Sequence, residues 1–279
     1  MTYPWPDQPV PTAEEVAARV RTEQDGTVLL IRMTRPEKHN AIDAAMTRGL
    51  DVALNRLDDD PALRCGVLLG GLKAFCAGTD VAVGPGAPTP RGGNYGVVAR
   101  RRRTPLIAAV EGIALGGGFE LALACDLVVA STSALFGLPE VGLGLVANCG
   151  ALFRTPRALT PAVAKRLLLT GDPIDAARAH ELGLVTDLTD PGDAEATARR
   201  VAQRIAERSP AAVAATLAAV DSAVLEADAR GWADTDAAVA AVVDGPERAE
   251  GLAAFAEKRP PRWATPSAST HPASGASSR

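Results

Sequence analysis

Two glutamates and a run of three glycines are the residues of this chain whose types and spacing could do chemistry. Gly116-Gly117-Gly118 runs directly into Phe119-Glu120, and a second carboxylate follows in Phe136-Gly137-Leu138-Pro139-Glu140. Glycine has no Cβ, so a ligand can come close to the main chain there. The triplet stands where an apolar helix would begin, and the free N–H groups of a helix N-terminus favour negative charge. Carboxylates beside such a site could move protons to and from whatever carries that charge. Taken singly, each piece also has a bland use: glycines permit tight packing, and a lone Glu is usually solvated.

The surrounding stretches read as the layers that would hold these residues. Residues 27–34, 65–69, 105–110 and 127–130 are rich in apolar and β-branched types and predict strands. Residues 43–57 have apolar positions at helical spacing with Asp43 as N-cap, and 117–125 predicts a second helix. Residues 84–96, rich in Gly and Pro, predict a mobile loop. This alternation predicts α/β layers around a largely parallel sheet. After Gly150 the pattern is helical, with candidates at 161–169, 175–182, 194–208, 211–227, 232–243 and 246–257. Ala-rich helices bury little by themselves, so an extra helical layer or a subunit interface is their expected use. Residues 1–12 predict an extended arm. Residues 264–279, dominated by Ser, Ala, Thr and Pro, predict a disordered tail.

Composition narrows the function classes. The chain has 279 residues, 47% of them apolar, enough for a sizeable core. A formal net charge of −4 gives no general pull toward nucleic acid or anionic membrane. Cys65, Cys76, Cys125 and Cys149 have no C-x-x-C spacing and read as reduced, buried thiols. No run approaches the length of a membrane-spanning helix, and the Pro-rich start has no signal-peptide pattern. A cytoplasmic enzyme or binding protein is the expectation. The run Arg100–Arg103 lacks interleaved aromatics and reads as a solvated helix face or a phosphate rim rather than a nucleic-acid site. His39, His180 and His271 form no metal or triad pattern, and Trp232 and Trp263 read as helix-packing anchors.

Several segments in order resemble the signatures of the crotonase, or enoyl-CoA hydratase/isomerase, superfamily. They are Arg35-Pro36-Glu37-Lys38-His39-Asn40-Ala41-Ile42, then Ala74-Phe75-Cys76-Ala77-Gly78-Thr79-Asp80, then residues 105–120 and 136–140. Leu168-Thr170-Gly171 with Ala179-Leu182-Gly183-Leu184-Val185 matches a later signature, and Phe255-Ala256-Glu257-Lys258-Arg259-Pro260 the last. The similarity spans about residues 27–263 and is greatest to enoyl-CoA hydratases. It implies an α/β fold, a crotonase (ClpP-like) spiral of ββα repeats over 13–200. A C-terminal helical oligomerisation region over 201–263 would follow. It also implies acyl-CoA thioester substrates, homotrimers or hexamers, and no cofactor beyond the coenzyme A of the substrate. No nucleic-acid or membrane partner is expected.

The resemblance also assigns roles. The backbone N–H groups of Thr79 and Gly117 would form the oxyanion hole for a thioester enolate. Glu120 would help deprotonate a water for attack at Cβ, and Glu140 would supply the proton to Cα. Ala77, Thr79, Asp80, Val81 and Ala82 would border the CoA moiety, with Lys38 and Lys258 as phosphate partners. Ala147-Asn148-Cys149-Gly150-Ala151 departs from the Pro-Gly-Ala-Gly-Gly of many hydratases. Asn148 and Cys149 would therefore alter the acyl pocket. The expected activity is reversible syn hydration of a trans-2-enoyl-CoA to a 3-hydroxyacyl-CoA. A Δ3-Δ2 enoyl-CoA isomerase and a non-catalytic acyl-CoA scaffold are the alternatives.

Overall fold

Continuous apolar runs form the centre of the molecule because they are buried on both faces. In the run from Val28 to Ile31, Val28 and Leu30 pack to one side of a sheet while Leu29 and Ile31 pack to the other. The computed structural model describes Tyr3, Trp5 and residues 8–263. The tail expected over 264–279, with His271, lies outside the described residues. The described part of the arm before residue 13 has neither helix nor strand.

Helix α1 (Ala13–Arg19) opens the chain, followed by β1 (Val20–Asp25) and β2 (Val28–Met33). Helix α2 (Ala44–Asp59) starts at the expected cap, where Asp43 Oδ1 accepts from Met46 N at 2.8 Å. Then come β3 (Cys65–Leu69), β4 (Ala74–Cys76), β5 (Leu106–Val110), β6 (Ile113–Leu115), α3 (Gly117–Leu123), β7 (Leu127–Ser131) and β8 (Leu135–Gly137). The second half carries α4 (Ala151–Ala158), α5 (Pro161–Thr170), β9 (Ile174–Asp175), α6 (Ala176–Glu181), β10 (Asp187–Thr189) and α7 (Ala194–Ala206). It ends with α8 (Pro210–Ser222), α9 (Leu225–Val242) and α10 (Pro246–Ala256).

The strands form two sheets. The larger has the order β1-β2-β3-β5-β7-β10, and the smaller β4-β6-β8-β9. Only the pairs β1–β2 and β8–β9 are antiparallel. Successive pairs β3/β4, β5/β6 and β7/β8 each place one strand in either sheet, so the chain winds as a spiral of ββα turns. One face of the large sheet meets the Ala194, Ala198, Ala202 and Ala206 stripe of α7. Small residues at every fourth position let that helix lie close to the strands. The expected domain boundary at residue 200 falls inside α7.

Two readings of the sequence are corrected here. Arg100–Arg103 is not a helix, and half of it is not solvated. Arg100 Nη2 donates to Asp51 Oδ1 at 2.6 Å, with side-chain exposures of 1% and 3%. Arg102 Nη2 donates to Asp126 Oδ1 at 2.7 Å. Arg101 and Arg103 are the exposed pair. Trp263 is 46% exposed and anchors no helix, whereas Trp232 meets Phe153 edge-on at 5.0 Å between α9 and α4. Among the described residues no single helix is long and apolar enough to cross a membrane. The α8–α9 pair reaches that length and apolarity only across a 53° bend.

Residues 84–96 have little regular structure but are pinned to α2. Thr47 Oγ1 donates to Pro85 O at 2.6 Å, and Thr89 Oγ1 to Asp51 Oδ1 at 2.7 Å. Thr89 and Gly93 exchange two backbone hydrogen bonds at 2.9 Å.

Candidate active site

The end of β6 and the start of α3 bring the glycine triplet against the β4 loop. Gly118 lies so close to Cys76 that a Cβ would overlap the Cys76 carbonyl oxygen, which is main chain and cannot swing away. Gly118→Ala is therefore expected to destabilise the fold by roughly 1–3 kcal/mol and to shift the first turn of α3. Chemical denaturation together with turnover of the same sample checks both effects. On the facing loop, a Cβ at Gly78 would stand 3.0 Å from Gly117 N, so the two loops meet there. Among the described residues no oxygen accepts from the N–H of Thr79 or of Gly117. Two unpaired donors, one at a helix N-terminus, thus border the same cleft.

That cleft measures about 1190 Å³, larger than is typical for a compact small-molecule site and suited to an extended ligand. It brings together Glu120, Glu140, Thr79, Gly117, Asn148 and Cys149. Ala77, Asp80, Val81, Ala82 and Lys38 line it as well. Lys258 does not. It follows α10 as an exposed left-handed residue, φ 53°, while its neighbours Phe255 and Ala256 reach the cleft. Asp80 is held by Arg35 Nη1 at 2.9 Å, and its other oxygen accepts from Ala82 N at 3.1 Å. It shapes the loop after β4 more than it offers a free charge. Asn40 of the first signature is structural too: its amide nitrogen donates to Ala74 O and Phe75 O, both at 3.1 Å, fixing β4.

Glu120 sits in the first turn of α3 and is 1% exposed. Its Oε1 accepts from Cys149 N at 2.7 Å and Ala151 N at 3.0 Å. The segment that departs from the family pattern is therefore the one that holds this carboxylate. Burial pushes the Glu120 carboxyl above the usual carboxylate range, against the pull of those two N–H groups and of the Arg154 guanidinium. Glu140 follows β8 in a short 3₁₀ turn over Pro139–Leu143. Its Oε2 is shielded and has no hydrogen-bond partner. Burial first, and then the charge of Glu120, push the Glu140 carboxyl up as well. Glu120 thus has two backbone donors from the 149–151 segment, while Glu140 Oε2 has none.

A stability consequence follows. Below the ordinary carboxyl range Glu140 is neutral in both folded and unfolded chains. As pH rises, the unfolded carboxyl ionises freely while the buried one resists, so stability falls. Glu140→Gln should therefore melt higher than the parent at pH 8, by about 2–4 °C per kcal/mol relieved. The gap should close near pH 4, as differential scanning calorimetry across that range would read.

Tyr95 is the site residue that the sequence reading misses. It is 3% exposed, has φ 58°, and its hydroxyl lies 2.8 Å from Thr79 Oγ1. A Cβ on Gly117 would overlap that hydroxyl. Burial raises the Tyr95 phenol well above its usual range, so it stays a neutral donor and acceptor. The one local signal is a lone aromatic beside Gly96 in a Gly-rich stretch. Glu111 is a third buried glutamate, but its Oε1 accepts from Gly192 N and Ala194 N and so caps α7. The four cysteines are free, three of them buried, and burial pushes Cys65, Cys76 and Cys125 up to about 12. Among the described residues no group of three or more His, Cys, Asp or Glu side chains could hold a metal ion.

The chain is similar to known proteins along most of its length. The family model described as enoyl-CoA hydratase/isomerase matches residues 23–266. The chain is 43% identical over 175 residues to a protein of Rhizobium meliloti (strain 1021) named as a probable enoyl-CoA hydratase, covering 61% of this chain and 68% of that one. It is 40% identical over 191 residues to (E)-benzylidenesuccinyl-CoA hydratase of Thauera aromatica, covering 66% and 74%. The fold is similar to the crystal structure of a carnitinyl-CoA hydratase from Mycobacterium avium, with a TM-score of 0.84 and 38% identity over 88% of this chain and 98% of that one.

Proposed function

The chain belongs to the enoyl-CoA hydratase/isomerase family, and from that membership we propose that it adds water reversibly to a trans-2-enoyl-CoA, giving a 3-hydroxyacyl-CoA. The observation that carries this reading is the buried Glu120 and the half-buried Glu140 placed in one cleft with two unpartnered backbone N–H groups. The hydratase names of the relatives support water addition over isomerisation.

The substrate's thioester oxygen lies against Thr79 N–H and Gly117 N–H. Glu120 in its carboxylate form, oriented by Cys149 N and Ala151 N, takes a proton from water as the water oxygen bonds to Cβ. The Cα=Cβ electrons move toward the carbonyl, and the enolate oxygen gains the negative charge that the N–H pair stabilises. Glu140 gives its proton to Cα, and the carbonyl re-forms. One H and one OH have been added, Glu120 is protonated and Glu140 is ionised. Transfer of one proton back to Glu140 resets the pair. The route uses carboxylates and backbone N–H groups, with the coenzyme A moiety arriving as part of the substrate. Ala77, Val81 and Ala82 would flank that moiety, and Lys38 would face its phosphates. Helix α8 buries none of its residues within the single chain, which supports self-association through the C-terminal helices.

The test is crotonyl-CoA in ¹⁸O-labelled water. Loss of the enoyl chromophore with one ¹⁸O at C3 of the product supports hydration. Migration of the double bond with no label supports the isomerase instead. Binding without either change would reduce the protein to a scaffold.

A further inference from the structure

Beside Glu120, one stretch of the otherwise largely apolar cleft wall is polar. Asn94 and Asn148 both line the cleft, and both bond the buried Cys149 sulfur at 3.4 Å. Cys149 is the same residue whose N–H holds Glu120 at 2.7 Å, so the two carboxamides stand beside the reacting carbons. A carboxamide has two donor hydrogens and an acceptor oxygen. A single weak contact to sulfur leaves most of that capacity unused, and no other side-chain hydrogen bond of Asn94 or Asn148 exists among the described residues. The Tyr95 and Thr79 hydroxyls continue the polar wall.

The opposite side of the cleft is apolar and is lined in part by the chain's own first residues. Tyr3 is 5% exposed and packs with Leu145 and Val239, with Trp5, Leu143 and Leu252 around them. The Tyr3 hydroxyl accepts from Val146 N at 2.7 Å and donates to Val146 O at 3.1 Å, which locks the ring there. A substituent of the acyl chain that turns toward Cys149 meets the carboxamides. An alkyl group there would bury amide groups without partners, which is unfavourable. A carboxylate there would meet the negative charge of the Glu120–Glu140 pair, and the Arg154 guanidinium beside Cys149 is already bound to Val98 O at 2.7 Å.

We infer that the substrate's acyl group carries an uncharged hydrogen-bonding substituent, a hydroxyl or its equivalent, on the carbon next to Cβ. Asn94 and Asn148 would be the residues that read it. This inference rests on the enoyl-CoA reading above and specifies its substrate class.

The experiment compares two isosteric substrates, (E)-4-hydroxybut-2-enoyl-CoA and (E)-pent-2-enoyl-CoA, which differ by OH against CH₃. The expected kcat/KM is at least about tenfold higher for the hydroxy substrate, since a site built to bond a hydroxyl rejects the analogue lacking it. Asn94→Leu and Asn148→Leu, made singly, should each shrink that ratio, and the wild-type ratio stands even where a variant fails to fold. Equal or reversed preference in the wild type overturns the inference, as does a preference that survives both replacements. If neither substrate is turned over, the hydratase reading fails separately. Dissociation constants of 4-hydroxybutyryl-CoA and pentanoyl-CoA, measured by calorimetry on wild type and variants, then read the same preference.

Discussion

Glu140→Gln is expected to lower kcat for enoyl-CoA hydration by about 10²–10⁴-fold, the range seen when a positioned proton donor is lost, with KM nearly unchanged. Gln keeps the shape that packs against Gly116, where a Cβ would stand 2.9 Å from Glu140 Oε1. It cannot release a proton to Cα. The ground-state contacts of the substrate are untouched, so the loss belongs to the transition state. Glu120→Gln should fall in the same range, because the amide cannot take the water proton. The double variant should be little worse than the poorer single one, since the pair acts as a unit. Steady-state loss of crotonyl-CoA absorbance measures all three. A Glu140→Gln enzyme within about threefold of wild type would remove Glu140 from the chemistry. In the wild type both limbs of the pH–rate profile should lie above the ordinary carboxylate range, since burial raises both groups. The acid limb reports the base and the alkaline limb the proton donor.

Arg100→Leu is expected to be the most damaging change away from the cleft, at about 3–5 kcal/mol, the cost of removing one partner of a buried ion pair. Its guanidinium reaches Asp51 at 2.6 Å, Asp58 at 3.3 Å and Asn55 Oδ1 at 2.9 Å, and is 1% exposed. Without it, Asp51 and Asp58 stay buried with their charge poorly answered; Arg91 approaches Asp58 at 3.5 Å but is itself 44% exposed. Asp51 also accepts from Thr89 Oγ1, so the loop that carries Tyr95 loosens together with α2. Denaturant titration should show the midpoint falling, and KM for acyl-CoA should rise in the surviving native fraction. Asp51→Leu combined with Arg100→Leu should recover part of the loss, because an apolar pair leaves no charge uncompensated. A single variant as stable as the parent would mean that the pair contributes nothing.

The legible parts of this fold are those with a strong local pattern. Cys65–Leu69 is an apolar run of strand length, and Asp43 precedes an amphipathic helix that it does cap. The glycine triplet with Glu120 is legible because backbone approach and helix start coincide there. β4, β6 and β8 are three residues each, too short to show a period. β1 is exposed along most of its length, so its polar sequence resembles a loop. The arginine run misleads because its partners Asp51, Asp58 and Asp126 are distant in the chain. Tyr95 hides for the same reason: its contacts with Thr79 and Gly117 exist only once the spiral closes. The holders of Glu120 are backbone groups and leave no mark in residue identity.

That last feature bears on how such a site can change over generations. The N–H groups of Cys149 and Ala151 orient Glu120 through the main chain, so any residue that fits those buried positions and keeps its N–H preserves the contact. The half-buried position 148 can therefore vary while Glu120 stays anchored. Duplicated copies of a gene like this one can diverge in the molecules they accept without first losing turnover. The proton chemistry is inherited with the main chain, and substrate choice drifts on top of it.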